Sequence, residues 1–198
     1  MRDKVLIKLI TFILCAFCMA AVSEGREKNI VSPSPAAHSF SPGRLEREIH
    51  SLINKERTKR GLRALSWNKT LHIIARRYSE DMVRRGFFSH KDPEGRSFRD
   101  RYSAAGFHCR IRRGDNIFLG AENISQDNLR SSVFFQDGKI SYSSYSNNTE
   151  GRIARSVVKR WMKSEGHRRN ILTPFFSREG IGVAIAHDGK VYVTEDFC

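Results

Sequence analysis

Trp161-Met162-Lys163-Ser164-Glu165-Gly166-His167-Arg168-Arg169-Asn170-Ile171-Leu172 holds an end, a start and a chemical group in twelve residues. Ile153, Val157 and Trp161 recur every four positions, which is one face of a helix. Ser164-Glu165-Gly166 breaks that helix and can start another, with Ser164 at the N-cap and Glu165 favoured by the positive end of the helix dipole. Asn170-Ile171-Leu172 resumes an apolar contact before Thr173-Pro174 stops the turn. His167 then sits in the first turn of a short second helix. The dipole there disfavours imidazolium and keeps the ring in the neutral form that binds metals. The plainer alternative is a capped turn with a surface histidine.

Helices extend upstream of this stretch. Ser41-Pro42 caps a first helix whose face is Leu45, Ile49, Leu52 and Ile53, and Gly61 ends it. Asn68 caps a second, with the stripe Leu71, Ile74, Ala75, Tyr78 and Met82 and a stop at Gly86. A third, short helix starts near Ser97, buries Phe98 and Tyr102, and ends at Gly106. Phe107–Ile111 reads as a strand.

The C-terminal end carries the strongest β signal. Ile181–Ala186 and Val191–Thr194 flank Asp188-Gly189, which predicts a hairpin with a two-residue turn. Val133–Tyr142, around Asp137-Gly138, predicts a second hairpin, and the polar Ser143–Thr149 reads as a loop. Helices followed by strands suggest helix-sheet-helix layering.

The chain begins with Arg2, Lys4 and Lys8, then an apolar run Leu9–Val22, the pattern of a signal peptide over residues 1–22 with cleavage between Ala20 and Ser23. An uncleaved anchor is the alternative. Residues 23–40, with Ser32-Pro33-Ser34-Pro35, read as a flexible linker, and residues 41–198 as one domain able to bury a core. Cys109 and Cys198 remain after signal removal. In an oxidising compartment an even pair favours a disulfide over two buried thiols. Such a bond closes a loop of about 90 residues, for which chain entropy predicts roughly 4–5 kcal/mol, and pins the last strand to the first.

The formal charge of +14 falls to about +12 without the first twenty residues, still strongly basic. The basic residues are dispersed, without the aromatic interleaving of a base-stacking surface, so nucleic acid is not expected. An extracellular, cell-envelope or anionic lipid ligand fits better, and plain solubility charge is the alternative. Asn68, Asn123 and Asn147 open N-glycosylation patterns, of which Asn147 is the best placed.

Together these pieces resemble the CAP superfamily, the cysteine-rich secretory, venom-allergen and pathogenesis-related proteins, in its prokaryotic type. The resemblance rests on Gly61–Trp67, Ser79–Met82, Phe88-Ser89-His90, Gly95–Phe98, Glu122-Asn123-Ile124, Trp161–Leu172, and Gly180–Val183 with Tyr192–Cys198, in family order over nearly all of Leu45–Cys198. It implies a single-domain α/β fold, an α-β-α sandwich with a small antiparallel sheet between helices. It also implies a cleft with two histidines and two acids, able to hold zinc or another divalent metal.

Carried over by motif, the histidines are His90 and His167 and the first acid is Glu122. The second acid belongs three positions after the helix tryptophan, where this chain has Ser164. Glu165 lies one position late, about a quarter turn round the helix. His90, Glu122 and His167 could then supply two or three metal ligands, with Ser164 and Glu165 as further cleft candidates and no obvious general base. The competing reading is a hydrogen-bonded polar brace.

The resulting expectation is a secreted binding or interaction module. A metal-dependent, peptidase-like hydrolase and a lipid- or sterol-binding protein are the alternatives. The sequence contains no His-Glu-x-x-His helix, no Gly-x-Ser-x-Gly elbow and no catalytic-cysteine context. Ser89 and Ser164, beside the two histidines, read as caps.

Overall fold

The computed structural model describes residues 40–129, 133–136, 139–142 and 149–198. The expected signal peptide, nearly all of the linker, the Asp137-Gly138 turn and Asn147 lie outside them. Ala37–Cys198 forms one compact unit that contains every cluster of the described core. Among the described residues no helix is long and apolar enough to cross a membrane.

Three helices begin where their caps predict. Helix α1 (Pro42–Thr58) opens on Ser41, whose hydroxyl accepts from the Arg44 amide at 3.3 Å. A two-residue strand β1 (Ser66–Trp67) leads to α2 (Lys69–Arg85), capped by the Asn68 side chain on Leu71 N at 2.9 Å and ended by Gly86 at φ 69°. Helix α3 (Phe98–Ala104) starts with a reciprocal Ser97–Asp100 capping box.

Phe107–Arg110 forms no strand, contrary to the expectation. The ladder begins at β2 (Ile111–Arg113), which turns through Gly114-Asp115 and pairs with β3 (Asn116–Phe118). The next strand, β4 (Ala121–Asn128), is not apparent as a strand in the sequence. Strands β5 (Val133–Gln136) and β6 (Lys139–Tyr142) pair antiparallel as expected. Helices α4 (Thr149–Lys163) and α5 (Glu165–Leu172) follow, then β7 (Arg178–Ile185) and β8 (Lys190–Phe197).

The main sheet runs β1-β7-β8-β4, parallel between β1 and β7 and antiparallel elsewhere. Four residues, Ala186–Gly189, separate β7 from β8, and the turn inside the Ala186–Lys190 hydrogen bond has three rather than two. Ala186 O accepts from Gly189 N, Ala186 N donates to Lys190 O, and Gly189 closes the loop at φ 84°.

Alternation on β7 separates the two layers. Ile181 and Val183 join the larger core with α1, α4 and α5, while Gly180 and Gly182 face α2. A Cβ at either glycine would lie 2.0 Å from an α2 backbone nitrogen, of His72 or Arg76, so only glycine lets that helix lie on the strand. Two buried charges tie α1 to this frame. Glu46 accepts from Arg76 and from the free edge amide Val183 N, and Arg57 donates to the carbonyls of Arg63, Ile171, Thr173 and Phe176. Each leaves few polar groups orphaned where strand and helix ends are buried.

Cys109 and Cys198 form a disulfide, with Cα atoms 5.6 Å apart. Its strand assignment needs correction. Cys109 lies two residues before β2 and Cys198 one after β8, so the bond fastens the base of the β2–β3 hairpin to the end of the central strand.

Candidate functional site

The cleft lies over β4, the edge strand, where side chains from both helical layers reach one another. Glu122 on β4 turns toward the α2–α3 layer, and Asn123 to the opposite face. His90 comes from the loop after α2, where Ser89 Oγ accepts from Lys91 N in a local turn and caps no helix, contrary to the expectation. His167 comes from α5 on the other side. The two imidazole centroids are 6.2 Å apart, and Trp161 lies 6.4 Å from His167. The sequence-expected trio therefore meets.

Glu122 is fully engaged. His90 Nδ1 bonds its Oε1 at 2.8 Å, and the Arg101 guanidinium pairs with its Oε2. The Glu122 side chain is 1 % exposed and that of His90 52 %, so the pair links the interior to the cleft mouth. Arg101 stacks 3.3 Å from the Tyr78 ring centre, and Tyr78 Oη donates to Ser89 O at 2.6 Å. This fixes the guanidinium and the His90 loop together. Burial pushes the Tyr78 phenol up to about 12, against the pull of Arg101. Asp196, opposite Glu122 in the ladder, is raised well above the usual carboxylate range by burial and by Glu122.

His167 is held from behind. Asn123 donates to its carbonyl at 3.3 Å, and Asn170 donates to Glu122 O and to Asn123 Oδ1. Trp161 Nε1 bonds Ile124 O at 2.9 Å, which docks α4 on the edge strand. Burial, and then the neighbouring His90, depress the His167 imidazole below its usual range. Both effects favour the neutral ring, with burial rather than the helix dipole as the main cause. No hydroxyl or thiol among the described residues bonds either imidazole.

Ser164 occupies the N-cap position of α5, but its hydroxyl makes no capping bond. Glu165 points away from the cleft: its side chain is 82 % exposed, 3.9 Å from Arg169. The donor set thus holds two imidazoles and a carboxylate whose oxygens are both taken. It does not fit the three ligands of a catalytic zinc. Among the described residues, no group of three or more His, Cys, Asp or Glu side chains is arranged to hold a metal. Sequence reasoning missed Arg101, Tyr78, Asn123 and Asn170. Asn123, inside the Glu-Asn-Ile motif and fully buried, and Asn170, inside Trp161–Leu172, carried a signal. The burial of Asn123 also closes it to glycosylation.

Comparisons with known proteins agree with this architecture. The model of the cysteine-rich secretory protein family matches residues 50–197. An uncharacterized protein of Bacillus subtilis, YkwD, is 29 % identical over 175 residues, 88 % of this chain and 54 % of its own. The membrane protein YlbC of the same organism is 28 % identical over 153 residues, 77 % of this chain and 34 % of its own. The chain therefore spans about half or less of these relatives. Among solved structures, an extracellular SCP-domain protein of Bacillus anthracis superposes with TM-score 0.55 at 24 % identity, covering 79 % of this chain and 40 % of that one. An outer surface protein of Borrelia burgdorferi does so with TM-score 0.59 at 15 % identity, covering 81 % and 96 %. With the family model spanning all the cleft motifs, this chain belongs to the cysteine-rich secretory protein family.

Proposed function

We propose that the chain acts outside the cell as a binding module at an anionic envelope surface, and that its cleft is a braced recess without turnover. The observation that carries this reading is the engagement of both Glu122 oxygens, by His90 and by Arg101. A carboxylate so held is neither a free general base nor a free metal ligand. Among the described residues no hydroxyl or thiol bonds either imidazole. The basic balance of the Ala37–Cys198 unit, about +12, supplies the attraction, and the extracellular description of the Bacillus anthracis likeness agrees with the compartment.

The test uses residues 37–198 on immobilised polyglycerol phosphate, a phosphodiester polyanion. Retention that weakens as salt rises is expected, with no cleavage of an unstructured peptide mixture offered in parallel. Peptide cleavage that disappears in His167→Ala would replace this reading with the hydrolase. Absence of retention at low salt would remove the anionic surface.

A further inference from the structure

The β2–β3 hairpin leaves apolar side chains in water on a rigid support. Ile117 and Leu119 are each 41 % exposed, and Phe118 is 37 % exposed. The support is fixed at both ends. The Cys109–Cys198 bond anchors its entry. At its exit Gly120, at φ 96°, passes so close to Phe197 O and the Tyr102 ring that a Cβ would lie 2.6 and 2.9 Å from them.

Strand alternation sorts the hairpin into two faces. Arg112 is paired with Ile117 and Ile111 with Phe118. Ile111, Arg113 and Phe118 share the inward face, where Ile111 packs on the core and Phe118 lies 4.4 Å from Phe175. Arg112 and Ile117 share the outward face. Arg110 and Leu119 flank them, one residue outside each strand, so two arginines and two aliphatic side chains are carried exposed on one hairpin.

Between α3 and the base of the hairpin lies a recess of about 240 Å³ whose lining includes Arg99, His108, Arg110 and Leu119 and no carboxylate. Arg99, Arg110 and Arg112 are all exposed, and the ion pairs found among the described residues include none of them. Asp115, at the turn, is the single acid in residues 107–120.

We infer that the outward face of this hairpin docks on a bilayer of anionic phospholipid. Ile117 and Leu119 enter the boundary between headgroups and acyl chains, and Arg110, Arg112 and Arg99 hold lipid phosphates. The inference rests on the anionic-surface reading above and adds the part that makes contact. A phosphodiester polymer would satisfy the arginines but leave Ile117 and Leu119 wet. A second copy of this face would bury the aliphatic pair but set like charges against each other. An anionic bilayer meets both demands, and neither signal alone gives firm attachment.

The test is sedimentation of residues 37–198 with vesicles of phosphatidylglycerol and phosphatidylcholine, against phosphatidylcholine alone. Binding to the mixed vesicles only is expected. Arg110→Gln with Arg112→Gln should weaken it by roughly tenfold or more. Ile117→Ser with Leu119→Ser should weaken it by at least about tenfold with the charge unchanged. Arg155→Gln with Lys159→Gln, an equal loss of charge on the exposed face of α4, should change it much less. All six positions are exposed or half-buried at the surface, and circular dichroism checks that each variant folds.

Equal weakening by the α4 pair would overturn the inference in favour of diffuse charge. So would unchanged binding in the serine variant. Retention on polyglycerol phosphate without vesicle binding would sink the hairpin proposal alone. Failure on both supports would sink the anionic-surface reading with it.

Discussion

Two carboxylate clusters sit on neighbouring strands of one sheet and are handled in opposite ways. On the α2–α3 face, Glu122 is met by a guanidinium and an imidazole. On the α1 face, Glu179 of β7 and Glu195 of β8 are both fully buried, with one oxygen on each lacking a hydrogen-bond partner. There the remaining contacts are His50 on Glu179 and Asn123 on Glu195. Burial pushes the Glu179 carboxyl up to about 7 and Glu195 well above the carboxylate range. A proton shared between the two carboxyls would satisfy both orphan oxygens and relieve the repulsion of like charges in one site. The lesson is that a guanidinium hydrogen-bonded to the carboxylate holds Glu122 as an ion pair, whereas burial favours the protonated form of Glu179, Glu195 and, beside Glu122, Asp196. Asn123 touches both regions, bonding Glu195 and the His167 carbonyl.

The largest effect should come from taking away the cation. Arg101→Gln leaves Glu122 buried beside Asp196, and breaking such a pair costs about 3–5 kcal/mol. Urea unfolding at pH 7 measures it. A loss under about 1 kcal/mol would mean that Glu122 does not depend on Arg101.

Next comes the strand that serves both clusters. β8 carries Glu195 and Asp196 and ends at the disulfide. Cys198→Ser should cost about 2–4 kcal/mol and raise amide exchange along Val193–Phe197. Exchange unchanged there would break the link between the bond and the buried acids.

The smallest effect lies in the proton-held pair, and its sign is fixed. The Glu179 pKa is raised in the folded state, so its contribution is fully present below about 4.5, the unfolded value, and is lost as pH rises through about 7. Glu179→Gln keeps a hydrogen-bond donor toward Glu195 at all pH values. Relative to wild type it should gain about 1–3 kcal/mol between pH 5 and 8. The comparison between the two proteins also cancels the opposite slope from His167, whose pKa is lowered and whose partners do not include Glu179. Parallel stability profiles would argue against the shared proton.

Much of this fold is legible because its signals are local. Ser41, Asn68, Ser97, Gly86 and the apolar stripes between them mark α1 to α3 within a few residues. β4 is hidden because Glu122-Asn123-Ile124-Ser125-Gln126-Asp127-Asn128 offers a single large apolar residue. Its place is set by partners far along the chain, including Trp161 on Ile124 O and Arg160 on Ser125 Oγ and Gln126 O. The cleft trio could be named only through motifs. Arg101 looks like one more exposed arginine of a short helix, and Glu195-Asp196 like surface charge near the C-terminus. Their burial comes from pairing with β4 and β7, which no local pattern announces.

The central claim is that Arg101 and His90 together withhold Glu122 from any metal, and isothermal calorimetry with zinc tests it most directly. Residues 37–198, purified without an affinity tag, are titrated at pH 7.5, where imidazole protonation no longer competes. The account predicts no saturable heat at micromolar zinc. One zinc bound per chain, with the binding lost in His167→Ala and weakened in Glu122→Gln, would contradict it and make the cleft a metal centre.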